Sequence, residues 1–281
     1  MEIIYGVLEQ GLIYGLVGIA VLLTLRVIDF PDMGINNSFA SGAAAWYWGT
    51  KVGFDPYSAS IIAFLMGFII GYITASLHLF FNIRPLLAGI IMMIALYSVN
   101  MRLMGRPNIP LMNTHNIFGS NNDQVKIIIL LSIVITFWIC LSWFLMSEIG
   151  LGIRVSGQNY MLGETYGISK VFSVGTTMAV SNGIIGFSGA LLGQSQGFID
   201  INMGNGLIVS GLVSVIIGEK ILSTTKVYLM IIMSVIGAVI YKIAVMLALF
   251  SSDIGLQSSD IYIITALMMV GVMFKKKSFS L

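Results

Sequence analysis

This 281-residue chain is short of charge: Asp, Glu, Lys and Arg make up 9% of it, against ~25% in a soluble domain. With 57% hydrophobic residues and a mean hydropathy of +0.96, it cannot cover a water-facing globule. That excludes a soluble domain and leaves a polytopic α-helical membrane protein. Cysteine is limited to Cys140, inside an apolar run, so no disulfide framework exists. The two histidines, His78 and His115, lie far apart without Cys, His or carboxylate spacing around them, so no metal site is expected. Missing too are GxxxxGK[ST], HExxH, a nucleophile elbow and paired carboxylates in a polar setting. The chain is therefore not expected to be an enzyme, and it has no P-loop with which to hydrolyse ATP. Its basic residues are scattered, so the formal charge of +2 does not point to nucleic acid. The start, MEIIYGVLEQ, lacks the basic region of a cleavable signal, which predicts a retained first span.

What is present is apolar length. At ~20 residues per span, the chain divides into about nine transmembrane helices (eight to ten). They lie near 5–25, 33–48, 57–81, 86–104, 126–146, 172–193, 203–218, 227–249 and 260–274. Those at 33–48 and 203–218 are short and open in Gly/Asn-rich sequence, which predicts broken or half-depth helices. With the amino terminus outside, the cytoplasmic side holds Arg26, Arg84, Arg154, Lys170, Lys220, Lys226 and Lys275–Lys277, nine of the fourteen Lys and Arg. The outer loops then hold Lys51, Arg106 and Lys126, with Arg102 near the edge and Lys242 within a span. This satisfies the positive-inside rule and puts the carboxyl terminus in the cytoplasm.

The same orientation puts a polar island in the cytoplasm: Ser147–Val171, SEIGLGIRVSGQNYMLGETYGISKV. It carries Glu148, Arg154, Gln158, Asn159, Glu164 and Lys170, and it is broken by Gly150, Gly152, Gly157, Gly163 and Gly167. Gly157 and Gly167 can end short helices. Arg154, Glu164 and Lys170 can steer and register a docked protein. The competing reading is an ordinary solvated loop.

An internal repeat supports the span count. DMGINNSFASGAA (Asp32–Ala44) resembles NMGNGLIVSGLV (Asn202–Val213), and QGLIYGLVG (Gln10–Gly18) loosely matches NGIIGFSG (Asn182–Gly189), both at an offset of about 170 residues. Five spans separate the copies, so they are inverted, and matching interrupted helices in inverted repeats point at a midplane pathway. The pathway candidates are Asn36, Asn37, Ser38 and Ser41 in one short helix and Asn202, Asn205 and Ser210 in its mate. Polar side chains at membrane depth need a cavity or partners. The alternative is that they pack the bundle by interhelical hydrogen bonds.

Other polar residues read more modestly. Asp29 and Asp32 bracket Pro31, with Asp200 as their mate; they can line gates, but capping is the favoured reading. Arg102 and Arg106 can grip an acidic partner or snorkel. Lys242 is an intramembrane lysine and a functional candidate by default, although it can reach the outer interface. The GLIYG (Gly11–Gly15) and GALLG (Gly189–Gly193) stretches read as packing faces, and the 18 methionines as core.

Four segments carry a family resemblance: RVIDFPDMGINNSFASGAA, RPLLAGIIMMIALYSVNMRLMGRPNIPLM, GLGIRVSGQNYMLGETYGIS and GFIDINMGNGLIVSGLVSVIIGE. Over Val27–Glu219 the chain resembles permease subunits of bacterial ATP-binding-cassette importers, of the branched-chain amino acid/ribose type. Within that group it is most similar to the tryptophan or aromatic amino acid permeases. The resemblance implies a single permease domain over 1–281. Its repeat halves are 1–104 and 172–274, linked by span 126–146 and a cytoplasmic coupling loop at 147–171. It implies ATPase-coupling roles for Gly150, Arg154, Gly157, Asn159, Glu164 and Gly167. The family's older Glu-Ala-Ala signature reads here as Gly163-Glu164-Thr165 ahead of Gly167.

The resemblance also implies partners: two ATPase subunits, which bind the ATP; a second permease copy, as a homodimer; and an extracytoplasmic binding protein. No cofactor is expected on this chain, and the location is the bacterial inner membrane. The runner-up reading is an ion-coupled secondary transporter with inverted repeats. That carrier needs a buried carboxylate, and none stands out mid-span in the sequence.

Overall fold

The computed structural model describes residues 2–111, 115–119, 122–250 and 261–274. Its helices are α1 (Glu2–Leu22), α2 (Ile35–Val52), α3 (Pro56–Phe81), α4 (Pro85–Met104), α5 (Asp123–Met146), α6 (Glu148–Gln158), α7 (Tyr160–Thr165), α8 (Lys170–Gln196), α9 (Leu207–Ile221), α10 (Val227–Phe250) and α11 (Ile261–Phe274). Strands β1 (Asn108–Pro110) and β2 (Phe198–Asp200) pair antiparallel, with Ile109 opposite Ile199. The chain is an all-α polytopic membrane protein, with this small ribbon at one end and the α6–α7 pair at the other.

Helix boundaries follow local chemistry. Asp55 accepts from the amides of Tyr57 and Ser58 ahead of Pro56, and α3 ends at Asn82 in the left-handed conformation. Ser169 caps α8, which stops at Gly197, at φ 74°. The hydroxyl of Ser58 also bonds Asp55, and these donors hold the exposed Asp55 carboxyl below the usual carboxylate range.

Six helical segments are long and apolar enough to cross a membrane: Ile4–Val27, Pro56–Phe81, Pro85–Met104, Asp123–Met146, Lys170–Gln196 and Val227–Ala248. The expected count of nine is thus not reproduced by length and hydropathy. The three remaining segments are α2, α9 and α11. At 18 residues α2 is ~27 Å long, but its Asn, Ser, Gly and Ala residues keep it only mildly apolar. At 15 residues α9 reaches only ~22 Å. Both match the short segments expected at 33–48 and 203–218. Helix α11 covers the span expected at 260–274 from Ile261 onward. Lys275–Lys277 of the charge count lie outside the described residues.

The centre of the bundle is α8, packed against α3 and α2, with α1 alongside and α10 on the far side of α1. Small residues let these backbones touch. A Cβ on Gly42 would lie 2.0 Å from the Gly186 carbonyl oxygen, and one on Gly71 would lie 2.1 Å from that of Met178. The packing faces read from sequence are used as such: Gly11 and Gly15 meet Val239 and Val235 of α10, and Gly189 meets the backbone of Phe39. Helix α5 instead leaves Ile128, Leu131, Ile135, Ile139 and Trp143 exposed. A face this apolar suits lipid or another membrane subunit.

Candidate coupling face and half-helix junction

The polar island folds into two short helices set under the bundle. Ser147 starts α6 by accepting from the Gly150 amide at 3.2 Å. Asn159 ends α6 and starts α7, its Oδ1 accepting from Met161 N at 3.0 Å and Leu162 N at 3.4 Å. Gly167, at φ 80°, then turns the chain toward Ser169 and α8. The break between the helices is therefore Asn159, not Gly157. Gly157 lies inside α6, where a Cβ would fall 1.7 Å from the Val27 carbonyl oxygen. It is glycine because two backbones meet there. Gly150 likewise touches the backbone of Phe144 and Leu145, and Gly163 touches Ser156.

This brings the six coupling candidates into one compact hairpin. Gly150 is buried, Arg154 and Gly157 are half-buried, and Asn159, Glu164 and Gly167 are exposed. Ile153 is fully buried and anchors α6 in the core. Sequence reading missed the apolar tip of the hairpin: Met161, Leu162 and Tyr166 are 79%, 50% and 73% exposed. It also missed Tyr160, whose hydroxyl reaches the Ile28 carbonyl at 3.4 Å and whose ring lies 4.7 Å from the Lys170 ammonium. Partial burial and the nearby Asp29 raise the Tyr160 phenol above its ordinary range. The signal for these residues was an apolar triplet inside a polar loop.

The second feature is the meeting of the two short helices. Asn36, at the start of α2, accepts from Ile208 N at the start of α9, at 3.2 Å. A Cβ on Gly204 would lie 1.8 Å from the Asn36 carbonyl oxygen. Asn202 and Asn205 are exposed in the turn leading into α9, and Asn36 is half-buried. The other candidates sit inside the protein. Asn37 Nδ2 donates to the Met93 carbonyl. Ser38 donates to the Gly34 carbonyl at 3.1 Å, and Ser210 to that of Leu207 at 2.8 Å. Ser41 Oγ lies 2.7 Å from Asn100 Oδ1. These four do not reach a surface comparable to that of Asn202 and Asn205.

Beneath the junction lies a carboxylate that the sequence did not mark as mid-span. Asp32 is fully buried; Oδ1 accepts from Gly34 N and Oδ2 from Asn182 Nδ2, each at 2.8 Å. Its bond to Gly34 N closes a turn ahead of α2 and is not a helix cap, because the N-cap of α2 is Gly34, with no side-chain cap bond. Its bond to Asn182, in the middle of α8, adds an interhelical tie. Asn182 Oδ1 is buried without a hydrogen-bond partner among the described residues. On the ribbon, Asp200 accepts from Asn202 N at 2.8 Å and from Asn108 Nδ2 at 3.1 Å. Lys242 lies over the Tyr14 ring at 3.3 Å and 3.4 Å from Gln10 Oε1, between α1 and α10. His78 packs edge-on against Phe30 and bonds the Ile83 carbonyl, a structural role. Among the described residues no cluster of His, Cys, Asp and Glu could hold a metal ion.

Residues 3–274 match the family described as Branched-chain amino acid transport system / permease component. The chain belongs to this family. The permease is 33% identical over 270 residues to the tyrosine transport system permease protein of Clostridioides difficile (strain R20291), covering 96% of this chain and 90% of that protein. It is 31% identical over 224 residues to the uncharacterized protein RP368 of Rickettsia prowazekii (strain Madrid E), covering 79% and 78%. A solved structure, PsaBC from Streptococcus pneumoniae in complex with Fab, superposes with a TM-score of 0.56 at 16% identity, covering 96% of this chain and 89% of that one. That likeness speaks for the fold alone. The chain is thus a multi-pass permease component of an ABC transporter, from a family of transport permeases, and it resembles the aromatic amino acid subgroup.

Proposed function

We propose that this permease is the membrane subunit of an ATP-driven importer in the bacterial inner membrane, carrying an aromatic amino acid such as tyrosine. The substrate class follows the likeness to the tyrosine transport system permease protein. The ATPase subunit docks on the α6–α7 hairpin, one copy per permease, and two permeases pair as a homodimer through an apolar face such as that of α5. ATP is bound by the ATPase, and this chain needs no cofactor. An extracytoplasmic binding protein delivers the solute to the β1–β2 end, where Arg102 and Arg106 are exposed. The amino terminus is then outside and the carboxyl terminus cytoplasmic. Solute passes the α2–α9 junction beside Asn36, Asn202 and Asn205, while Asn37, Ser38, Ser41 and Ser210 hold the two helix starts in place. The junction joins repeat halves 1–104 and 172–274.

The observation that carries this reading is the hairpin itself. Each of its helices is capped at its start, backbone contacts tie it to the bundle, and it exposes Met161, Leu162 and Tyr166 where a docked protein can cover them. Exposed apolar anchors on a hairpin that also carries Arg154, Asn159 and Glu164 suit a protein partner that buries them. The test is co-purification with the ATPase, together with ATP-dependent tyrosine uptake in proteoliposomes. Arg154→Glu is expected to abolish both while the protein stays folded in the membrane. Equal ATPase recovery and equal uptake in wild type and variant would remove the docking role.

Buried Asp32 favours a second reading, an ion-coupled carrier, because such a carrier needs a carboxylate at depth. Uptake driven by an ion gradient without ATP would establish it.

A further inference from the structure

The end of α1 touches both features described above. Residues Leu23–Val27 leave the α-helix as a π-helical turn, a rare form that is frequent at functional sites. The end of this turn and the segment after it are held from two sides. From below, Gly157 of α6 presses on the Val27 carbonyl, and the Tyr160 hydroxyl reaches the Ile28 carbonyl. From the bundle side, Arg26 forms an ion pair with Glu219, near the end of α9, at 2.5 Å, and Asp32 bonds Asn182 of α8.

Backbone-to-backbone contact leaves no slack. With no Cβ between Gly157 and Val27, a shift of α6 moves the turn itself rather than a side chain that can rotate away. The turn then pulls on Arg26, and Arg26 on Glu219. Helix α9 carries that pull to its other end, where Ile208 is bonded to Asn36. We propose that Arg26–Asp32 is the transmission segment of this permease: it passes displacement of the α6–α7 hairpin to α9 through the Arg26–Glu219 pair, with Arg26 and Glu219 as positioning residues. The proposal rests on the reading of α6–α7 as the ATPase-docking hairpin.

Exposure makes the pair testable. The two side chains are 40% and 30% exposed, and a pair at that exposure adds little to folding stability. Its loss should therefore appear in coupling. The experiment uses the full complex of permease, ATPase and binding protein in proteoliposomes and reads solute transported per ATP hydrolysed. Arg26→Glu and Glu219→Arg are each expected to lower that ratio several-fold, with ATPase recovery at the wild-type level. The double reversal Arg26→Glu/Glu219→Arg restores most of it, and Arg26→Lys keeps it near wild type. An unchanged ratio in the single reversals overturns the proposal. So does a loss that the double reversal leaves unrepaired, or single variants that fail to insert, because the pair would then be structural. Failure of the underlying reading looks different: the ATPase would not co-purify with the wild-type permease at all.

Discussion

Asn36 and Ile208 are 172 residues apart in the chain, yet the side-chain oxygen of one accepts from the backbone amide of the other at 3.2 Å. The bond joins the first turns of α2 and α9. First-turn amides of a helix have no partner within it, and at membrane depth they need protein or a water-filled cavity. Asn36 supplies that partner for α9, which is how two short helices can begin inside the bundle.

Replacing Asn36 by Leu removes this acceptor and leaves the Ile208 amide unpaired, at a cost of about 1–3 kcal/mol. Asn205 is exposed, so Asn205→Leu has no such cost. Both variants are expected to insert, to keep ATPase binding and to lose most solute uptake in proteoliposomes, with Asn36→Leu also melting at lower temperature. Normal uptake in both would move the pathway away from the junction, to the subunit interface.

Asp32 holds two buried donors, Gly34 N and Asn182 Nδ2. Asp32→Ala leaves the Gly34 amide unpaired, at a cost of about 1–3 kcal/mol, while Asn182 Nδ2 keeps its bond to the Met178 carbonyl at 3.2 Å. Asp32→Asn keeps an acceptor oxygen for one of them. In detergent, Asp32→Ala is expected to melt clearly below wild type, with Asp32→Asn between the two. Equal melting of all three would mean that the tie between the α2 entry and α8 contributes nothing to stability.

Orientation is open to thiol labelling in a Cys140→Ser background. Lys51→Cys, beside the exposed Asp55 at the end of α2, is expected to react with a membrane-impermeant reagent from outside only. Glu164→Cys, on α7, is expected to react from the cytoplasmic side only. Reaction of both from one side would discard the opposed placement of the two ends, and the inverted repeat with it.

The class was legible in the chain because it depends on sums, whereas the count of nine spans was not reproduced. A 9% charge content cannot cover a soluble globule, and long apolar runs fold as helices whatever their neighbours do. The short helices were legible because Asn and Gly interrupt an apolar run at both repeat positions. The polar island was legible for the opposite reason, as charge where apolar residues were the rule.

Pairing across the chain was not. Nothing local distinguishes Gly157, which meets Val27 through backbone, from Gly167, which turns the chain at positive φ. Asp32 reads as a cap beside Pro31 until α8 brings Asn182 to it. Arg26 reads as one more inner-face cation until α9 ends at Glu219. Composition and periodicity are properties of single segments, so the sequence by itself determined a multi-helix membrane protein with two short helices, which the structure shows unbroken, and a polar island. Hydrogen bonds, ion pairs and glycine contacts need two segments at one depth and one angle. Only the tertiary packing of α1, α8 and α9 decided which polar residues are buried ties and which face outward.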